Sequence, residues 1–135
     1  MTTPRSETPT NASPRWVRIV GWIISAIPSI MILMGGIVDL MQAEFAKQGL
    51  ADAGFHESIM VPLGAVMVIS AILYLIPKTA GLEAIMLTGY MGGAVATHGV
   101  MQDPLYMAVP AIVVGIFIWL GLAMRDSRFR LVLPW

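Results

Sequence analysis

Four apolar stretches, each about as long as a helix must be to cross a bilayer, fill most of this chain. They run over residues 16–40, 58–76, 80–100 and 105–124. A helix rises about 1.5 Å per residue, so a hydrocarbon layer of roughly 30 Å takes about 20 residues. In lipid, backbone N–H and C=O groups must bond to each other, which leaves helices and closed barrels as spanning structures. A barrel needs at least about eight alternating strands. The 135 residues are too few for that, and the apolar runs do not alternate. The expected fold is therefore all-α, a four-helix transmembrane bundle. Charged residues are only 12% of the chain, about half of what a water-exposed surface usually carries.

The stretch over residues 1–15 is rich in Thr, Ser, Pro and Asn and reads as a disordered tail. Residues 16–125 form the membrane domain and 126–135 a second tail. The first apolar run is too long for the core of a signal peptide, and no small-x-small cleavage site follows it closely, so it reads as a retained span.

Prolines mark the helices. Pro62 falls in the first turn of the second, where its missing N–H costs little. Pro28 and Pro110 are expected to kink the first and fourth. Pro77-Lys78-Thr79 makes so short a turn that helices two and three must be antiparallel neighbours. The long connection after Leu40 is expected to continue as a short helix over residues 39–49, lying as a lid on the membrane surface.

Arg5, Arg15, Arg18, Lys78, Arg125, Arg128 and Arg130 all fall on one side of a four-span chain, and Lys47 alone falls on the other. Basic residues stay cytoplasmic, so both termini are expected inside. Trp16, Trp22 and Trp119 lie near segment ends, where amphipathic rings favour the interface.

The absence of cysteine excludes disulfides, thiolate metal sites and dithiol redox chemistry. Net charge is zero, which gives no basis for nucleic-acid binding. No nucleotide motif, haem-ligand pair or catalytic motif is present. The two histidines, His56 and His98, have no carboxylate pair at ligand spacing, so no metal site is expected. Eleven methionines suit either a greasy-ligand pocket or plain packing.

The third helix holds most of the polar groups. At about 100° per residue, Glu83, Tyr90, Ala94, Thr97 and His98 share one face. Gly89, Gly92, Ala96 and Gly99 form a stripe of small residues roughly opposite, suited to close helix packing within the bundle or in a homo-oligomer. His98 reads either as a buried ring bonded to a neighbouring helix or as a ligand group. Asp39, at the end of the first helix, reads either as a solvated charge or as a partner of His98 across the bundle. Glu83 reads as an interfacial charge near Lys78 or Arg125, or as one end of a proton chain through Tyr90 and Thr97 to His98. Tyr90, Thr97, His98, Asp39 and Glu83 are thus the candidate ligand-binding residues.

The block Leu87-Thr88-Gly89-Tyr90-Met91-Gly92-Gly93-Ala94-Val95-Ala96-Thr97-His98, preceded by Ile76-Pro77-Lys78-Thr79-Ala80, resembles the DoxX-like family of small bacterial membrane proteins. Asp103-Pro104-Leu105, Ile118-Trp119-Leu120-Gly121-Leu122 and the run from Arg125 to Arg130 add to the resemblance, which covers roughly residue 35 to the C-terminus. It implies a four-helix bundle in the bacterial inner membrane. It also implies a link to redox systems through quinone, because the wider family includes subunits of thiosulfate:quinone oxidoreductases. Two positions depart from the family pattern. Glu83 stands where relatives often have a small residue, and Gly64-Ala65-Val66 stands where many carry an acid.

The resulting expectation is an accessory or quinone-interacting subunit whose redox enzyme partner carries the chemistry. Tyr90, Thr97 and His98 would hydrogen-bond the quinone. The alternatives are a ligand-free assembly or scaffold protein, and a small four-helix transporter.

Overall fold

The structure is a computed structural model that describes residues 14–130. The tail expected over residues 1–15 lies outside these but for its last two residues, as do Arg5 and the last five residues of the chain. The described chain is helical: α1 Arg15–Leu40, α2 Glu44–Asp52, α3 Met60–Leu75, α4 Ala80–Val100, α5 Val109–Arg125 and α6 Ser127–Arg130, with 3₁₀ turns at Glu57–Ile59 and Leu105–Met107. Among the described residues there is no strand.

The four long helices pack as a ring. Helix α1 packs on α3 and α5, and α4 packs on the same two from the opposite side. The core they share includes Ile32, Met67, Tyr74, Leu87, Met91, Ile118 and Leu122. Large apolar side chains also point outward from every long helix, among them Ile23, Ile30 and Met34 of α1, Ile69 and Ile72 of α3, Ile85 of α4 and Ile116 of α5. Water would penalise such a surface at roughly 25 cal/mol per Å² of apolar area, and lipid does not.

Three segments are long and apolar enough to cross a membrane: Arg15–Leu40, Glu57–Leu75 and Leu105–Arg125. Four spans were expected from the sequence, and α4 is the one outside this group. Its 21 residues suffice in length. Its composition holds it back, because Glu83, Thr88, Tyr90, Thr97, His98 and the glycines dilute the apolar residues.

Small residues set the closest helix contacts, but not those of the α4 stripe. A Cβ added at Gly64 would lie 2.7 Å from the carbonyl oxygen of Gly36, and one added at Gly36 would lie 2.9 Å from that of Gly64. So α1 and α3 touch backbone to backbone there. Farther along, Gly21 of α1 faces the Arg125 backbone and Gly121 of α5 faces Ser25. The α4 stripe is different. Gly89, Gly92 and Gly99 have nothing within 4 Å of an added Cβ, and Ala96 is exposed. The stripe faces outward, so packing inside this bundle is not its role.

Several boundaries differ from expectation for local reasons. Pro110 was expected to kink the last helix. Instead α5 begins at Val109 after a 3₁₀ turn, so Pro110 sits in the first turn, where no carbonyl loses a partner. Pro28 does lie inside α1, yet the helix continues to Leu40. The short helix after α1 is not a continuation of it. Gln42 takes a left-handed backbone, φ 51°, which turns the chain before α2 begins at Glu44. Residues 126–130 do not leave the bundle as a free tail: α6 packs on α5, and the Phe129 ring seats against Gly81 and the core.

Candidate functional site

The helical register of α4 sorts its side chains as the 100° periodicity requires. Glu83 is buried, and Tyr90, Ala94, Thr97 and His98 are at least half-covered, while Gly89, Gly92, Ala96 and Gly99 are exposed. The expected polar face is therefore an inward face. What its members bond to decides what each can do.

His98 does not meet Asp39. Its Nδ1 lies 2.8 Å from a carboxylate oxygen of Asp103. The cause is local: Gln102 adopts φ 57°, the chain reverses, and the Asp103 N–H closes the helix by donating to the His98 carbonyl at 3.0 Å. Asp103 is thereby delivered to the ring five residues behind it. In the sequence Asp103 stood out only as part of the family resemblance, not as a partner of His98. Thr97 also turns inward on its own helix, donating to the Gly93 carbonyl at 3.0 Å. The other histidine, His56, caps the 3₁₀ turn by accepting from the Ser58 N–H at 3.2 Å.

Tyr90 is placed differently. Its hydroxyl donates across to the thioether of Met67 on α3 at 3.1 Å. The Asp39 Cβ packs over Gly64, which leaves it room because it has no side chain. Gly64 and Met67 are three residues apart on α3, so one stretch of α3 meets Asp39 from α1 and Tyr90 from α4.

Glu83 is only 7% exposed and makes no ion pair with Lys78 or Arg125. One of its carboxylate oxygens is buried without a hydrogen-bond partner. No continuous polar chain connects it to His98, because Tyr90 and Thr97 direct their hydroxyls elsewhere.

The other polar centre was not anticipated. Arg125, expected as a loop charge, is buried at 9% exposure. Its guanidinium lies 4.6 Å from the Trp22 ring centre and 4.4 Å from that of Tyr74. One terminal nitrogen donates to the Tyr74 carbonyl, and the other, Nη1, is buried without a partner. Tyr74 is fully buried and donates to the Ile118 carbonyl at 2.6 Å, with Ser25 Oγ 3.3 Å from its hydroxyl. Trp22, read from the sequence as an interface anchor, is half of the Arg125 clamp. Trp119 donates to Thr88 at 2.8 Å. The sequence carried no pattern that joins these residues, because Ser25 lies well inside α1 while Tyr74 and Arg125 stand at the ends of α3 and α5.

Comparison with known proteins adds a family. The DoxX-like family model matches residues 23–121, well over half of the chain. The match starts earlier than the resemblance read from the sequence and ends before Arg125. No curated protein and no solved structure matches. The chain belongs to the DoxX-like family.

Proposed function

We propose that this DoxX-like chain is an accessory membrane subunit of a redox system, crossing the bilayer four times and holding a quinone head group beside Tyr90. The electron-transfer chemistry belongs to a partner, since this chain offers polar side chains but no redox group. The fourth crossing is α4, kept in lipid by neighbours that cover its polar face. The Arg125 end is the cytoplasmic one, because the basic residues gather there.

The observation that carries the quinone reading is the Tyr90–Met67 hydrogen bond. A thioether is a weak acceptor. A quinone carbonyl oxygen would accept the same O–H more strongly, and an ordinary hydrogen bond contributes about 0.5–1.5 kcal/mol. Met67 is unbranched and can yield its place to a flat ring. His98 and Thr97, expected to share this work, are already bonded within α4 and its turn. The site therefore narrows to Tyr90, Met67 and Asp39.

The test is to purify the full chain from native membranes in mild detergent and to analyse the organic extract by mass spectrometry. Near-stoichiometric quinone is expected in the natural chain and in His98→Ala, with most of it lost in Tyr90→Phe. No quinone, or equal retention in Tyr90→Phe, contradicts the reading. A second reading, a scaffold without ligand, draws on the outward glycine stripe of α4, where another helix could approach closely. A partner complex that fails to assemble without this chain, with no bound quinone, would favour it.

A further inference from the structure

At the Arg125 end, α1, the turn after α3, α5 and the link to α6 enclose a cleft of about 240 Å³. Arg18, Trp22, Ala80, Arg125, Asp126 and Arg128 are among its walls. The cleft is separate from the Tyr90 site, and its charge is uneven. Arg128 is committed locally, with its Nη2 2.8 Å from the Asp126 carboxylate and 3.3 Å from the Pro77 carbonyl. Asp126 is thereby neutralised. The Arg18 side chain has no hydrogen-bond or ion-pair partner among the described residues, and Arg125 has no carboxylate within ion-pair distance. Three guanidinium groups against one carboxylate leave two positive charges unmatched.

We infer that this cleft binds a phosphate-bearing anion, with Arg18 and Arg125 as its principal ligands. Burying a cation without a counter-charge is costly, so the Arg125 side chain favours any anion that reaches the cleft. The Trp22 and Tyr74 rings lie 4.6 and 4.4 Å from the guanidinium and the Tyr74 carbonyl accepts from it, so the group is held in place at the cleft. A fixed guanidinium fork matches phosphate oxygens in pairs, which an ammonium group does not. The volume is below the roughly 300–1,000 Å³ of pockets that enclose whole small molecules, and suits a head group or a free phosphate. Basic pockets between spanning helices at the head-group level are where anionic lipids are recognised. An anionic phospholipid and inorganic phosphate share the required chemistry, and the experiment separates them.

The full chain in mild detergent is melted with added phosphatidylglycerol, phosphatidylcholine or inorganic phosphate, each shift being read against the same protein without addition. Phosphatidylglycerol is expected to raise the melting temperature well above any effect of phosphatidylcholine. Arg18→Gln, on an exposed side chain, is expected to raise the half-saturating concentration about tenfold. Lys47→Gln, at the opposite end, is expected to leave it unchanged. A shift with inorganic phosphate alone supports the same site with a soluble source. Equal shifts from both lipids, no shift from any addition, or an Arg18→Gln response like that of the natural chain overturns the inference. Arg125→Lys, which keeps the charge and removes the fork, is expected to weaken binding further than it lowers the unliganded melting temperature. The reverse result also counts against the site.

Discussion

The two ends of the bundle use polar groups in different ways. At the His98 end the partners are close in sequence: His56 with Ser58 two residues on, Lys47 with Glu44 three residues back, and His98 with Asp103 five residues on. At the Arg125 end one local pair, Arg128 with Asp126, stands beside three distant ones: Tyr74 reaches Ile118 across 44 residues, Ser25 meets Tyr74 across 49, and Arg125 reaches Tyr74 across 51. Local pairs close turns and stop helices. Distant pairs tie helices to each other in surroundings where lipid offers no hydrophobic drive toward association. Toward the His98 end that binding rests on backbone contact at Gly36 and Gly64, with the Tyr90–Met67 bond beside it.

Gly64→Val should therefore be the most damaging single change, because the new side chain meets the α1 backbone, which cannot yield as a flexible side chain can. Destabilisation of about 3 kcal/mol, the upper end for overpacking, is expected in a detergent unfolding titration. A neutral result would mean that the helices do not touch there. Tyr74→Phe comes next. It removes the hydroxyl that ties α3 to the Ile118 carbonyl of α5 and to Ser25 of α1, for an expected loss of about 1–2 kcal/mol in the same titration.

A smaller effect separates the ends by pH. Hydrogen bonds from the Arg128 side chain, opposed by modest burial, hold the Asp126 carboxyl below the usual carboxylate range. A carboxyl lowered in the folded state stabilises above its unfolded value of about 3.9 and loses that contribution as pH falls through the folded value. The α6 segment should thus stay docked down to about pH 4 and loosen below it, as seen by proteolysis or Phe129 environment, and Asp126→Asn should flatten the dependence. The smallest change should come from His98→Ala. A half-exposed pair within one turn contributes about 0.2–1 kcal/mol. A loss as large as that of Tyr74→Phe would break the contrast between the ends.

Much of the fold was legible from hydropathy and proline position. The bounds of α4 and the turn at Pro77 follow directly, since apolar run length and the missing N–H of proline act locally. The inward and outward faces of α4 also follow from its period. The partners did not. Periodicity gives the face of a helix but not its neighbour, so Asp39 stood, in one of two readings, as a partner of His98, while the turn at Gln102 supplied Asp103. Residue size likewise failed to locate packing. The stripe over Gly89, Gly92 and Gly99 forms the denser pattern, yet scattered Gly21, Gly36, Gly64 and Gly121 make the contacts between the long helices, because contact depends on which faces meet. Arg125 looked like an ordinary flanking charge, and only the approach of Trp22 and Tyr74 from two other helices makes it a buried one.

The contrast between the ends has its full meaning if they face opposite sides of a membrane, which requires α4 to cross. The absence of native cysteine permits a direct measurement. Single cysteines at Lys78 and Gln102, flanking α4, would be labelled in intact cells with a membrane-impermeant maleimide. The account predicts that the cysteine at position 102 labels in intact cells and that the one at 78 labels only after the membrane is opened. Equal labelling of both in intact cells, or protection of both, would put the two ends of α4 on one side and contradict the four-span account.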